Sequence, residues 1–234
     1  MRVIQLSDTH LAAAAGMPAS LQSLLGGIAA DPPDLVVHTG DIVWFDPDDT
    51  LDRSFARLAL SKLPCRMVAV PGNHDVGFFE AEHLPARRAS FRSAWGDDRF
   101  VHDADGWRLI GVDIYTVGDA EADGWLASAL EADRPIAVFI HQPLSGEPDD
   151  GWQAPHAVTA RLEQLLAGHD VRVVASGHRH CRVVRDGGHG RTHVWAPSTT
   201  LAASESYHGG DPAPGAVEFR FEPDGTWTHQ FLDP

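Results

Sequence analysis

The stretch VVASGHRH, Val173 to His180, ends an apolar run in two histidines, His178 and His180, placed just after Ser176-Gly177. Imidazole adds little at the close of a buried strand unless its nitrogens are used. The same pattern recurs. The run from Arg2 leads to Asp8-Thr9-His10, and the run from Leu35 leads to Gly40-Asp41. The run from Arg66 leads to Gly72-Asn73-His74-Asp75, and the run from Ile136 to His141. The collected donors are Asp8, Asp41, Asn73, His10, His141, His178 and His180, with His74 in addition and no Cys or Met. Oxygen and imidazole donors suit borderline divalent ions such as Mn, Fe, Co or Zn. Seven groups are too many for one tetrahedral ion. They fit two ions if one carboxylate is shared, and a two-metal site is a standard way to run in-line displacement at phosphorus.

For these donors to meet, the runs that carry them must be neighbouring strands that end on one side. Short Val/Ile/Leu runs alternate with helical patterns expected over about residues 19–30, 50–63, 79–95, 122–132 and 156–167. Such alternation argues a parallel-type sheet covered on both faces, and in open α/β sheets ligands gather at the carboxyl ends of the strands. The gaps from Asp8 to Asp41 and from Asp41 to Asn73 are 33 and 32 residues, about one βαβ unit each. After Cys181 the runs CRVVRDG, RTHVWAPS, GAVEFRFEPDG and TWTHQFL alternate more and are joined by Gly/Asp/Pro turns, which predicts an antiparallel end. No linker or repeat marks a boundary, so one domain over residues 1–234 is expected.

Composition narrows the function classes. Hydrophobic residues make up 43 %, enough for a full core, and no apolar run approaches a membrane span. The start, MRVIQLSDTH, lacks the apolar segment of a signal peptide, so a cytoplasmic location and no membrane partner are expected. With net charge −15 and Lys62 as the only lysine, the surface repels phosphate backbones and disfavours nucleic-acid binding. Cys65 and Cys181 are too few for a disulfide framework and are expected to be buried free thiols. DPDDTLD, residues 46–52, reads as a solvated helix start. HGGDPAPG, residues 208–215, reads as a loop, with His208 the outside candidate for touching substrate.

Taken singly, Asp8 or Asn73 is more often a turn or cap residue than a ligand, and His141 more often a satisfied strand-end histidine. Only the ordered set, each member at a strand end, makes metal the better account. The nine histidines outside it are expected to be structural, with His38 a strand or supporting residue. Asp113, which closes LIGVDI at the same rim, is expected to support the site. A Walker lysine, a G-x-S-x-G elbow and H-E-x-x-H are all absent.

The motifs DTH (Asp8–His10), GD (Gly40–Asp41), GNHD (Gly72–Asp75), the lone His141 and GHRH (Gly177–His180) resemble, in order, those of the calcineurin-like metallophosphoesterases. The match covers residues 1 to about 200. The resemblance implies an α/β fold in which a two-sheet β-sandwich is flanked by helices, with two divalent or trivalent ions (Mn, Fe, Zn or Co) as cofactor. It implies that Asp8, His10, Asp41 and His180 hold one ion, and Asn73, His141, His178 and the shared Asp41 the other. His74 would be left free as the catalytic residue facing the scissile phosphate.

Departures narrow the class. Purple acid phosphatases carry a tyrosine ligand three residues after the GD aspartate, where this chain has Trp44, whose indole N–H only donates. The protein Ser/Thr phosphatases' GDxVDRG becomes GDIVWFD, without the arginine that clamps a monoester dianion. PGNHD, GHRH and WAPSTT are closer to class III cyclic-nucleotide phosphodiesterases and glycerophosphodiesterases. The expected substrate is therefore a small phosphodiester, with 3′,5′-cyclic nucleotides such as cAMP first; homo-oligomerisation is left open. A nuclease is the alternative enzyme, disfavoured by the acidic charge. A non-catalytic scaffold like the retromer subunit of this fold is disfavoured because all seven ligand types are present.

Overall fold

The computed structural model describes residues 1–44, 47–79, 82–144, 154–203 and 210–234. The chain order is β1 (Arg2–Leu6), α1 (Ala19–Ala30), β2 (Leu35–His38), α2 (Thr50–Leu60), β3 (Met67–Ala69), α3 (Asn73–Val76), α4 (Leu84–Trp95), β4 (Phe100–Ala104) and β5 (Trp107–Gly111). A 3-10 turn over Ile114–Thr116 follows, then α5 (Ala120–Leu130), β6 (Ile136–Phe139), α6 (His156–Leu166), β7 (Val171–Ser176), β8 (Val183–Gly188), β9 (Arg191–Trp195), β10 (Ala216–Phe221) and β11 (Trp227–Leu232).

Strand alternation builds the layers. In the sheet β11-β10-β1-β2-β3, one face presents Val3, Leu35, Val37, Val217 and Phe219. These pack on Leu109, Ala137, Phe139, Val173 and Val194 of the second sheet, β4-β5-β6-β7-β9-β8. Phe139 and Phe219 meet edge-to-face at 5.9 Å across this middle core. The opposite face of the first sheet, Ile4, Leu6 and Val36, is covered by Leu21, Leu24, Leu25 and Ile28 of α1 and by residues of α2 and α4. The opposite face of the second, Ile110, Val138 and Val174, is covered by α5 and α6. The result is the expected helix-flanked two-sheet sandwich. Strands buried on both faces explain why their sequences read as unbroken apolar runs.

Three local differences from the sequence reading have simple causes. The tail is mixed rather than wholly antiparallel, because β9 lies parallel to β7 while β8 pairs antiparallel outside it. The hairpin β4–β5, turned at Asp105-Gly106 with both residues at positive φ, went unpredicted because FVHDA is half exposed and lacks an apolar run. α4 begins at Leu84 and α2 stops at Leu60, inside the predicted ranges. Within the acidic stretch, Asp49 caps α2, its carboxylate accepting from the backbone N–H groups of Leu51 and Asp52 at 2.7 and 3.1 Å; Asp46 lies outside the described residues. Cys65 and Cys181 form no disulfide with each other, and Cys65 is only half-buried while Cys181 is buried. Among the described residues, no helix is long and apolar enough to cross a membrane.

Candidate metal centre

β1, β2 and β3 of the first sheet and β6 and β7 of the second end on one side, and each passes at once into a loop that carries ligand-type residues. Pairing continues past the strands: Asp8 N–H donates to the Gly40 carbonyl at 2.9 Å, and His10 N–H to the Asp41 carbonyl at 3.0 Å. These turns are tight. Asp8, His10, Asp41, His178 and His180 have φ of 52°, 43°, 54°, 68° and 53°, in the left-handed region that residues other than glycine seldom occupy. Gly72 and Gly177 leave room for them. A Cβ at Gly72 would fall 2.2 Å from Asp41 Oδ1, and one at Gly177 1.8 Å from Ser7 Oγ.

The side chains form two clusters that meet at Asp41. In one, His180 Nε2 lies 3.3 Å from Asp8 Oδ1 and 3.1 Å from His10 Nε2. In the other, His141 Nε2 lies 3.4 Å from Asp41 Oδ1, 3.0 Å from Asn73 Oδ1 and 3.1 Å from His178 Nδ1. Asp41 Oδ2 is 3.9 Å from both His10 Nε2 and His74 Nε2, so its two oxygens serve both groups. The ligand atoms of Asp8-His10-His180, of Asp41-His141-His178 and of His10-Asp41-His74 each lie within 4.8 Å of one another. All seven predicted ligands and His74 are therefore brought together. His208 lies outside the described residues.

Tautomers and lone pairs suit cations. Asp8 Oδ2 accepts from Ser7 Oγ at 2.5 Å and from His178 N–H at 2.9 Å, while Oδ1 is buried and faces the His180 imidazole, with Nε2 at 3.3 Å. A buried carboxylate oxygen needs a cationic or donor partner, which a metal ion would supply. His141 Nδ1 donates to the Thr39 carbonyl at 2.7 Å, which leaves Nε2 with its lone pair toward the cluster. The carboxylates that would hold cations also favour the protonated forms of His141 and His180. Burial works to lower the His141 pKa, but the Asp41 carboxylate beside it overcomes that and holds it at about 9. Burial likewise acts to raise Asp8 and Asp41, yet His180 beside Asp8 and His141 beside Asp41 keep both carboxyls well below their usual range.

Several supports were not assigned that role from the sequence, although Asp75 lies in GNHD and Ser198, Thr199 and Thr200 in WAPSTT. Gln5 Nε2 donates to Thr39 Oγ1 at 2.9 Å and to the Ser176 carbonyl at 3.1 Å, tying the two sheets at the site end. The hydroxyls of Ser198, Thr199 and Thr200 donate to the carbonyls of Asp8, Ser7 and Thr9 at 2.7, 3.0 and 3.0 Å. Asp75 Oδ1 accepts from Ile42 and Val43 N–H, and Oδ2 from Gly72 N–H at 2.9 Å, joining the β2 and β3 loops. His38 was singled out as support and does this: Nδ1 accepts from Gly40 N–H at 3.2 Å, so Nε2 donates to Thr9 Oγ1 at 3.1 Å. Asp113 pairs with Arg88 at 2.6 Å, and its carboxylate accepts from Tyr115 N–H to cap the 3-10 turn.

The family model for calcineurin-like phosphoesterases matches residues 1–182. A probable cyclic nucleotide phosphodiesterase of Rhodococcus erythropolis is 29 % identical over 76 % of this chain and 64 % of its own length. A glycerophosphodiester phosphodiesterase GpdQ of Enterobacter lignolyticus is 33 % identical over 53 % of this chain and 47 % of its own. The chain thus spans less than two thirds of the length of these curated relatives. Among solved structures, a dimetal phosphatase from Danio rerio superposes with a TM-score of 0.72 at 13 % identity, covering 100 % of this chain and 96 % of that one. At that identity the likeness is one of fold.

Proposed function

The chain belongs to the calcineurin-like phosphoesterase family, and from that premise we propose that it is a metal-dependent phosphodiesterase acting on a small diester, with 3′,5′-cyclic nucleotides the first substrates to test. The observation that carries the reading is the pair of buried donor clusters meeting at Asp41. The diester preference draws on the activities for which the Rhodococcus and Enterobacter relatives are named. It also draws on the missing arginine of the GDxVDRG motif. β8 to β11 lie beyond the matched residues yet complete both sheets, which supports one domain over residues 1–234.

In this reading Asp8, His10, Asp41 and His180 hold one ion, and Asp41, Asn73, His141 and His178 the other, with Mn, Fe, Zn and Co the candidates. When bound, two such cations supply Lewis-acid activation of the phosphoryl group and lower the pKa of the attacking water. The chain's own residues do the rest. Ser7 and the His178 N–H hold Asp8 so that one oxygen faces the cluster, and the Thr39 carbonyl orients His141. The backbone N–H of His74 grips Asp41 Oδ1 at 2.7 Å, while its side chain, 28 % exposed, reaches the open face. Placed there, the imidazole gives a proton to the departing alkoxide as its bond to phosphorus breaks, a role worth roughly 10²–10⁴-fold.

The test compares kcat/KM for bis(p-nitrophenyl) phosphate and p-nitrophenyl phosphate on metal-reconstituted protein, with metal content measured. A diester preference is expected. A monoester preference would move the protein to the phosphatases, and bound metal without turnover would favour a scaffold.

A further inference from the structure

Among the described residues, six large hydrophobic side chains are exposed. Four are aliphatic (Leu51, Leu58, Val101 and Val184) and lie on α2, β4 and β8, which carry no ligand. Scattered exposure of this kind is ordinary. The two aromatic ones are placed differently. Trp44, 46 % exposed, follows Asp41 by three residues, and Phe78, 53 % exposed, follows α3, which carries Asn73 and His74.

Trp44 is in contact with the centre itself. Its indole meets the His10 imidazole almost at right angles, 83°, with centroids 5.5 Å apart, and His10 in turn meets His74 at 4.7 Å. Its backbone is anchored as well. Trp44 N–H donates to the Leu11 carbonyl at 3.2 Å, and Val43 bridges Leu11 in parallel, so the indole stands on the same paired backbone as the ligands. A half-exposed, backbone-anchored indole in ring contact with His10 of the donor cluster is a ready stacking surface for a planar group.

We propose that Trp44 is a specificity-determining residue that stacks on the nucleobase of a nucleotide diester held at the metal centre; this rests on the phosphodiesterase reading above. Stacking fits the electrostatics of a chain with net charge −15 and one lysine, because it draws affinity from a neutral ring and needs no further cation. Every base has a π-face, so such a wall selects nucleotides over base-free diesters while tolerating different bases.

The experiment uses metal-reconstituted wild type, Trp44→Ala and Trp44→Phe, with metal content measured on each preparation. Kinetics are taken on 3′,5′-cAMP and on glycerophosphoethanolamine, a diester without a base, and AMP binding is followed by calorimetry. For Trp44→Ala, KM for cAMP and the dissociation constant for AMP should rise roughly 5- to 150-fold, the span seen on truncating an aromatic beneath a stacked base. The ratio of kcat/KM for cAMP to that for glycerophosphoethanolamine should fall with them, and Trp44→Phe should recover most of the loss. An equal fall on both diesters, a change in kcat alone, or loss of a metal ion would mean that Trp44 only buttresses His10, and would overturn the proposal. If wild type turns over neither diester, the phosphodiesterase reading fails by itself and AMP affinity still decides: weakened binding in Trp44→Ala upholds the stacking wall, and unchanged or absent binding overturns it.

Discussion

Five of the seven ligand-type residues sit in left-handed backbone, at a cost on the order of 1 kcal/mol each, so the site is held open by its surroundings rather than by local preference. His38 is one such support and can be tested through pH. Burial pushes its imidazole down to about 3, against 6.5 for an unperturbed histidine. Between those values the unfolded chain binds a proton that the folded chain refuses. The stability tied to His38 is therefore complete above about 6.5 and is lost as pH falls toward 3. His38→Gln removes this titration. The stability difference between wild type and variant should shrink by about 1.4 kcal/mol per pH unit below 6.5, as read from urea unfolding at several pH values. A difference that stays flat would mean His38 is charged in the folded protein. His74 is the complementary case, a group whose value depends on the leaving group. His74→Ala should keep both metals, lose roughly two to four decades on a cyclic nucleotide, and lose far less on the nitrophenyl diester, whose leaving group needs little help. Metal loss in that variant would make His74 a ligand; equal slowing on both substrates would make it a phosphoryl-binding group.

Between elements, the decisive contacts are the clamps that hold the loops after β1, β2 and β3 in one arrangement. Asp75 is the most concentrated of these, since one carboxylate satisfies three backbone N–H groups from two loops. Asp75→Ala would orphan all three in a buried place, a loss of about 2–4 kcal/mol. Metal affinity should fall at least about tenfold as the loops part. Asp75→Asn keeps an acceptor for Ile42 and Val43 and should fall between wild type and Ala. Urea titrations with metal titrations on the same samples check this; full metal affinity in Asp75→Ala would show that the loops hold their places without the clamp.

For the molecule as a whole, the two sheets meet at the site and Asp41 stands where their contributions join. The first sheet brings Asp8, His10, Asp41 and Asn73 through β1, β2 and β3. The second brings His141, His178 and His180 through β6 and β7. Asp41→Ala should therefore lower occupancy of both ions, whereas His10→Ala should weaken mainly one, as metal analysis of the purified variants would read. Loss of the same single equivalent in both would end the bridging assignment.

The candidate donors, their order along the chain and their place at strand ends were all legible in the sequence, because apolar periodicity and turn residues are short-range signals. α1 spans the very residues its spacing predicts, with Leu21, Leu24, Leu25 and Ile28 buried. Partner choice was not legible. Nothing local in RTHVW says that β9 will enter the sheet parallel to β7 with β8 outside it, or that β10 will cross to pair with β1. The same holds for the Ser198–Thr200 hydroxyls on the carbonyls of Ser7, Asp8 and Thr9, about 190 residues away in the chain. It holds also for the indole of Trp44 against His10. Residue types limit which groups can bind metal or stack. Which of them meet, and which lone pairs are left facing inward, is decided only when strands distant in sequence close one core and every buried backbone group must find a partner.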